Sequence, residues 1–350
     1  MTDAASPFRP HLEKVVSGAP LEADEAERAF HAIMQGEVSD IELAAFLAAL
    51  RVRGETVDEI AGAVTAMRRL MVRVAAPANA FDVVGTGGDA RGTFNVSTAT
   101  SLVLAGCGVP VAKHGNRAVS SKSGAADVLE CLGVNIRMDA QQAEACLEQA
   151  GIVFLFAPTH HPAMRFAAPV RQALKLRTIF NLLGPLANPA LVKQHLLGVY
   201  SSVWLRPMAE ALLRLGSSSA WVVYGADGLD ELSTTGANRV AALKYGRIEE
   251  FEVDPSDAGL PRASLGDLFG GTPQENADAI RALLNGEPGA FRDIVLLNAA
   301  AALVVAGRAD SLITGVEQAA TSIDTGAARD RLCALTAGSQ RVTAALAANA

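Results

Sequence analysis

Aromatic residues make up only 5% of this chain, and just two of them are Trp and three Tyr. A core short of rings must be filled by aliphatic side chains at close spacing. The abundance of Ala fits helices packed tightly against a sheet. Cysteine is scarce too. Cys107, Cys131, Cys146 and Cys333 form no C-x-x-C pair and no zinc spacing. All four sit in apolar stretches, which predicts reduced core thiols in a cytoplasmic protein. Positive charge is in deficit: 30 Lys and Arg face 37 Asp and Glu, a net charge of −7. That balance excludes a general nucleic-acid or anionic-membrane surface. No run is long enough to span a membrane. The longest apolar stretch, residues 294–307, is broken by Asn298 and falls short of the roughly 20 residues a span requires. The opening MTDAASPF has neither a basic region nor an apolar one, so no signal peptide is expected. Repeats and low-complexity tracts are absent as well.

What is present divides the 350 residues by texture. Residues 1–77 carry helical signals only. Ser39-Asp40-Ile41-Glu42 and Thr56-Val57-Asp58-Glu59 are capping boxes. Apolar stripes follow them, through Leu43, Phe46, Leu47 and Leu50 and through Ile60, Val64, Met67 and Met71. Residues 21–34 have a helical period closed by Gly36, and 74–80 read as a linker. A small helical domain with several apolar faces is expected to pair with a copy of itself, as a homodimer. From Phe81 onward the pattern alternates. Strands are expected at 81–84, 109–113, 152–156, 195–200 and 220–224, with helices near 95–105, 123–132, 140–150 and 204–215. Such alternation predicts a mainly parallel sheet with flanking helices. Residues 239–243 and 247–253 flank Tyr245-Gly246 as an antiparallel hairpin. Thr272-Pro273-Gln274-Glu275 caps a further helix, and the remainder reads as helical. The expected fold is therefore α/β: a small all-helical N-terminal domain and a larger α/β domain.

Ligands of such sheets bind beyond the carboxyl ends of the strands, so the segments after each strand carry the functional reading. The first is FDVVGTGGDARGTFNVSTATSLVLAG, residues 81–106. Gly85, Gly87 and Ala90 fit a dinucleotide fingerprint, but the acid expected about 20 residues on is missing. A Walker loop fails because Gly92 is followed by Thr93-Phe94. A more general phosphate site survives: glycines admit backbone N–H groups to an anion, and a helix start adds its dipole. A plain capped turn remains the alternative. The second segment is KHGNRAVSSKSGAAD, residues 113–127. It gathers Lys113, His114, Arg117 and Lys122 with Ser120, Ser121 and Ser123, and with almost no acid to neutralise them. These are parts of a polyphosphate site. In GADGLDELSTTG the adjacent Asp230 and Glu231 suit either Mg²⁺ or a helix cap. After residues 152–156, Pro162 is expected to open a helix carrying Arg165 and Arg171, and Asn181-Leu182-Leu183-Gly184-Pro185 a covered bend. An Arg beside that bend could clamp a carboxylate, against the alternative of a solvent-facing helix cation.

GTGGD, NVST, KHGNRAVSSKSG, RTIFNLLGPLANP and GLDE, in this order, closely resemble the anthranilate phosphoribosyltransferase family of tryptophan biosynthesis. The resemblance runs over about residues 10–340. KHGNRAVSSKSG is its most specific motif, whereas GTGGD and the acid pair are shared with pyrimidine nucleoside phosphorylases. It implies that the glycine loop holds phosphoribosyl pyrophosphate (PRPP). Gly85, Gly88, Asp89, Thr93, Asn95, Val96, Ser97 and Thr98 would contact PRPP. So would the run Lys113, His114, Gly115, Asn116, Arg117, Ala118, Val119, Ser120 and Ser121, and Ala125. Many family members carry Ser where this chain has Ala125, so a backbone contact can persist there but a hydroxyl contact cannot. Ser97, Asp230 and Glu231 would serve two Mg²⁺ ions. Asn116 and Arg171 would hold anthranilate, with Gly85, His114, His161 and Pro185 nearby. Lys113 and Asp89 would be catalytic. The family fold implies a domain of 1–77 with 166–190 packed on it, a second domain of 78–165 and 191–350, and a homodimer.

The implied chemistry requires no strong base. The aniline nitrogen is neutral at pH 7 and can attack the anomeric carbon as pyrophosphate leaves, through an oxocarbenium-like transition state. Two rivals are weaker. A nucleoside phosphorylase would need its own base-reading residues in place of Asn116 and Arg171. A nucleic-acid-binding relative would need basic surface and eroded motifs, and this chain has neither.

Overall fold

The computed structural model describes residues 7–88, 91–118 and 122–347, with side chains to residue 340. Asp89, Val119, Ser120 and Ser121 lie outside the described residues. Four helices open the chain: α1 (Arg9–Val16), α2 (Ala23–Gln35), α3 (Asp40–Arg53) and α4 (Val57–Leu70). Both capping boxes form. Ser39 Oγ accepts from Glu42 N–H, and Thr56 Oγ1 from Glu59 N–H. Glu59 does more than cap. It is fully buried, and its carboxylate accepts from Leu21 N–H, Thr56 N–H and the Arg53 guanidinium. Gly62 lets α2 and α4 close up, since a Cβ there would stand 2.3 Å from the Ala23 carbonyl oxygen.

The larger part is built on one seven-stranded sheet in the order β3-β2-β1-β4-β5-β6-β7. Its strands are β1 (Phe81–Gly85), β2 (Val111–Gly115), β3 (Ile152–Phe156), β4 (Gln194–Gly198), β5 (Ser219–Tyr224), β6 (Asn238–Lys244) and β7 (Arg247–Val253). The first five pair in parallel, and the β5–β6 and β6–β7 pairings are antiparallel. Tyr245 and Gly246, at φ 52° and 74°, make the tight turn between those two, both in the left-handed region that such a hairpin requires. Helices α5 (Val96–Gly106), α6 (Ala125–Cys131) and α7 (Ala140–Ala150) alternate with the first strands. A broken stretch follows: α8 (Ala157–His160), α9 (Ala168–Leu174) and α10 (Phe180–Leu183). Later come α11 (Leu205–Arg214), α12 (Pro273–Leu284), α13 (Ala290–Val305), α14 (Leu312–Asp324) and α15 (Ala327–Ala347).

The sheet separates two apolar cores. Phe81, Val83 and Leu196 point into one, with α5, α13 and α15. Val84, Leu197 and Val222 point into the other, which is continuous with the N-terminal helices. Ala167, Val170, Phe180, Leu183 and Leu186 belong to that second core, and Phe180 meets Phe30 of α2 edge to face at 5.6 Å. Arg68 of α4 fastens the junction by donating to the carbonyls of Leu186 and Leu215. Among the described residues no helix is long and apolar enough to cross a membrane.

Several expectations are corrected. The strand expected at 109–113 runs two residues later, because Pro110 has no N–H and pairing with β3 begins at Val111↔Ile152. Lys113 and His114 therefore lie inside β2, 4% exposed each, rather than in the loop after it. No single helix carries Arg165 and Arg171: a 3₁₀ turn at Pro162–Phe166 is followed by the separate α9. Residues 166–190 are likewise two short helices and turns. The cysteines are all free thiols, but only Cys146 is buried, and Cys333 is exposed. Asn95 precedes α5 without capping it by its side chain.

The different burial of the two capping boxes generates a prediction. Glu59→Ala strands Arg53 and two buried N–H groups, and is expected to destabilise by about 3–5 kcal/mol. Glu42→Ala, at an exposed box, should cost about 1 kcal/mol or less. Urea unfolding followed by circular dichroism should order the two variants this way; equal losses would contradict the buried role of Glu59.

Candidate active site

The strand order reverses between β1 and β4, and ligands of open α/β sheets bind at that switch point. In this crevice Gly85 and Gly198 are cross-strand partners, and the segment carrying Asp230 lies directly over both. A Cβ on Gly198 would be 1.5 Å from the Asp230 carbonyl oxygen, and one on Gly85 would be 2.3 Å from Asp230 Oδ2. Only glycine at both positions lets the acid pair settle onto the glycine loop. Asp230 Oδ2 then accepts from Gly87 N–H at 2.6 Å, and Glu231 Oε1 from Ser97 N–H at 3.1 Å. The acids after β5 are thus fastened to both ends of the loop after β1.

Lys113 reaches the same place from β2. Its ammonium donates to the Val83 carbonyl at 2.6 Å and to Ser97 Oγ at 3.1 Å. Burial lowers its pKa, and the charges of Asp82, Glu231 and Asp230 oppose that shift. Asp82 was not singled out from the sequence, although an acid inside the apolar run FDVVG was a signal. It is fully buried, and burial pushes its carboxyl up to about 6 against the pull of Lys113. Its oxygens accept from His114 N–H and from Asn188 Nδ2, at 3.2 and 2.7 Å. Asn188 Nδ2 also donates to the Ala112 carbonyl at 2.8 Å, so the LANP stretch is laced to β1 and β2.

Around the loops the expected residues divide. Asn95 Oδ1 accepts from Ser123 Oγ and from Asn276 Nδ2, at 3.1 and 2.8 Å. It brackets the two phosphate-type segments against α12. Thr93 forms an isolated bridge with Phe269. Val96 and Thr98 are buried at the start of α5, and Thr98 Oγ1 has no partner among the described residues. Thr100 and Ser101 turn into the core, Ser101 bonding back to the Ser97 carbonyl. Asn116 Oδ1 accepts from Arg117 N–H. Gly115 packs on Phe154, and a Cβ there would stand 2.7 Å from its ring, with Ala125 Cβ nearby. Arg117 departs from the sequence reading. It pairs with Asp127 and Glu130 at 2.7 and 2.6 Å and lies over the Phe156 ring. The segment has acids to neutralise it after all, because the helical turn of α6 presents Asp127 and Glu130 on the same side. Ala118 N–H donates to Asp127 as well.

The other flank of the crevice is imidazole. His114 and His161 lie with ring centroids 5.1 Å apart. His114 Nδ1 is 3.0 Å from the Gly184 carbonyl, which can only accept, so Nδ1 carries the proton and Nε2 is left as an acceptor. That Nε2 is buried and unpartnered among the described residues, as is Nε2 of His161. Burial, then His161, holds His114 well below its ordinary pKa. Burial, then His160, pushes His161 down to about 4. Pro185 is buried in the bend behind them. Arg171 projects from α9 over the Phe180 ring at 5.1 Å and has no carboxylate partner among the described residues. Burial lowers its pKa. The crevice thus brings together a fixed lysine and an acid pair, with the imidazoles of His114 and His161 beside them. A cation and hard oxygen ligands in one place suit a polyanion.

The histidines make stability pH-dependent. His161 and the buried His195, lowered to about 4 and about 3 from 6.5, favour the neutral form when folded. Their contribution is complete above about pH 6.5 and is lost as pH falls through the folded values, on the order of 3 kcal/mol for His161 alone. Asp82, shifted upward, opposes this with a single carboxyl. The thermal midpoint is expected to drop steadily from pH 7 to 4.5, and His195→Gln should flatten the slope. A midpoint constant over that range would contradict the buried neutral imidazoles.

Comparison with known proteins agrees with this geometry. The family model "Glycosyl transferase family, a/b domain" matches residues 77–329, and "Glycosyl transferase family, helical bundle domain" matches residues 9–71. The chain is 58% identical to an anthranilate phosphoribosyltransferase of Parvibaculum lavamentivorans over 337 residues, 96% of this chain and 98% of the relative. The crystal structure of anthranilate phosphoribosyltransferase from Thermus thermophilus is similar with a TM-score of 0.90 and 45% identity, covering 94% of this chain and 99% of that one. The Saccharomyces cerevisiae enzyme in complex with PRPP and Mg gives a TM-score of 0.89 at 28% identity, covering 97% and 99%. The same yeast enzyme in complex with 4-fluoroanthranilate gives 0.86 at 27%, covering 95% and 98%.

Proposed function

The chain belongs to the anthranilate phosphoribosyltransferase family, and from that membership we propose how its own residues divide the work. The reaction transfers the phosphoribosyl group of PRPP to the amine of anthranilate, giving N-(5-phosphoribosyl)anthranilate and pyrophosphate in tryptophan biosynthesis. The observation that carries the site assignment is the acid pair seated on the glycine loop beside Lys113. PRPP lies along the loop after β1 and against residues 113–121, with the loop's backbone N–H groups turned to its phosphates. Anthranilate lies toward α9, its carboxylate on Arg171 and its ring near His114, His161 and Pro185. The small domain comprises residues 1–77 with 166–190; the large one comprises 78–165 and 191–350. The shared apolar core of Val170, Phe180 and Leu183 with the N-terminal helices supports that division.

The donor set suits Mg²⁺. Asp230, Glu231 and the Ser97 hydroxyl are hard oxygen ligands. Among the described residues no cluster of three or more His, Cys, Asp or Glu is placed to hold a metal. A hard cation held by few protein ligands keeps its remaining positions for water and substrate phosphates. Two ions per chain are proposed, and when bound they neutralise charge on the pyrophosphate. The chain's own contribution is positioning and charge. Lys113, held by Val83 and Ser97, places a fixed cation where charge grows on the departing pyrophosphate. Asp89, outside the described residues, is assigned a catalytic part. Arg171 orients the amine by fixing the carboxylate, and the buried faces of Pro185 and the two imidazoles exclude water. The C–N bond forms at the anomeric carbon as its bond to pyrophosphate oxygen breaks, and the proton lost from the aniline nitrogen passes to water or to the departing pyrophosphate.

Loss of anthranilate fluorescence in the presence of PRPP and Mg²⁺ reads the reaction directly. Asp230→Asn with Glu231→Gln is expected to cut activity strongly and to raise the Mg²⁺ needed. Near-normal activity at low Mg²⁺ in that double variant would remove the metal role. Arg171→Ala should lower kcat/KM for anthranilate by on the order of 10- to 100-fold. Most of the loss should be in KM, because the carboxylate is equally charged in ground and transition states. Lys at 171 should rescue only partly, since it lacks the planar fork. An unchanged anthranilate KM, or equal losses for both substrates, would move the acceptor site elsewhere.

The chain is further proposed to act as a homodimer through its helical domain, in the cytoplasm, where free thiols stay reduced. Val16 of α1 and Ile41 and Val52 of α3 are 63%, 83% and 88% exposed, apolar surface that a second copy would cover. Light scattering at micromolar concentration should give about twice 36.3 kDa. A monomer would refute the dimer.

A further inference from the structure

Arg177 lies in the turn between α9 and α10, which Lys175 enters at φ 50°. Its guanidinium carbon is 3.9 Å from the centroid of the Tyr200 ring. That ring is held in turn, because its hydroxyl accepts from Trp204 Nε1 at 2.9 Å, and Tyr200 N–H donates to Thr86 Oγ1 of the glycine loop at 3.0 Å. Nη2 of Arg177 is flush with Gly88: a Cβ there would stand 2.0 Å from it. Gly88 is doubly required, since its φ of 76° also lies in the left-handed region. Nη1 is buried and without a hydrogen-bond partner among the described residues.

A buried, unspent guanidinium N–H is costly unless something accepts from it. Here the donor is stacked on a fixed ring and laid against the backbone of the loop proposed to hold phosphate. Its planar fork matches phosphate geometry. We propose that Arg177 is a direct ligand of the PRPP pyrophosphate, reaching the glycine loop from the turn after α9. The proposal rests on the reading that this loop holds the donor's phosphates. The acceptor's carboxylate is the other anion in the cleft. It has Arg171, six residues earlier on α9, whereas Arg177 touches Gly88 and not the imidazole flank. One short stretch of chain thereby holds a cation for each substrate. Donor binding at Arg177 steadies the turn that follows Arg171, so PRPP is expected to bind first and to tighten anthranilate.

The test is calorimetric titration of the full chain with PRPP and, separately, with inorganic pyrophosphate, both with Mg²⁺. Wild type is compared with Arg177→Ala, Arg177→Gln, Arg177→Lys and Asp230→Asn. Arg177→Ala and Arg177→Gln should weaken both ligands by about 10- to 100-fold, with Arg177→Lys intermediate. The thermal midpoint without ligand should stay near wild type for Arg177→Gln, which keeps a planar group on the ring. If Asp230→Asn weakens PRPP while Arg177→Gln does not, the role of Arg177 falls and the donor-site reading stands. If neither variant changes PRPP binding, the donor-site reading falls with it. If Arg177→Lys is no better than Arg177→Gln and both lower the ligand-free midpoint equally, Arg177 is a prop for the loop and the proposal is overturned.

Discussion

Everything functional in this molecule depends on how closely one piece of backbone lies over two strand ends. The segment carrying Asp230 rests on Gly85 and Gly198 at distances no side chain tolerates. From that seat the acid pair binds the amides of Gly87 and Ser97, and Ser97 in turn receives Lys113. Elements far apart in the chain, the loops after β1 and β5 and the strand β2, are thereby locked into one constellation. A methyl group at either glycine would push the carboxylates off the loop and separate the acids from the lysine.

The second organising element is the broken stretch after β3. Its apolar residues are shared with the N-terminal helices, while Arg177 lies against Gly88 of the glycine loop. It therefore belongs by packing to the small domain and by chemistry to the site. Arg68 and the Phe30–Phe180 contact tie it down on one side. On the other, Asn188 and the Gly184 carbonyl bind Asp82 and His114. This stretch therefore joins the N-terminal helices to the loops at the end of the sheet.

Burial sets the charge states in between. Desolvation, aided by His161 at His114 and by His160 at His161, holds both imidazoles below their ordinary pKa, so they offer shape and an acceptor nitrogen rather than positive charge. Burial pulls the Lys113 pKa down too, and Asp82, Glu231 and Asp230 oppose that shift.

Local chemistry made the helices, most strand positions and the hairpin legible in the sequence. Capping boxes at Ser39 and Thr56, the Tyr245-Gly246 turn and the β-to-glycine transition at Gly85 act within a few residues, so their patterns survive in one dimension. The phosphate-type loops and the acid pair were legible for the same reason. What pairs with what was not. β2 was misplaced because its start depends on the register against β3. Arg117 read as a free cation because the turn of α6 that brings Asp127 and Glu130 to it is a packing outcome. Asp82, in the apolar run FDVVG, and Arg177 and Asn188, in RTIFNLLGPLANP, sat in legible segments, but nothing local named their partners, and Asn276 had no local mark at all. Their roles come from partners tens of residues away, at close contacts that only the assembled sheet and the folded-back stretch after β3 create.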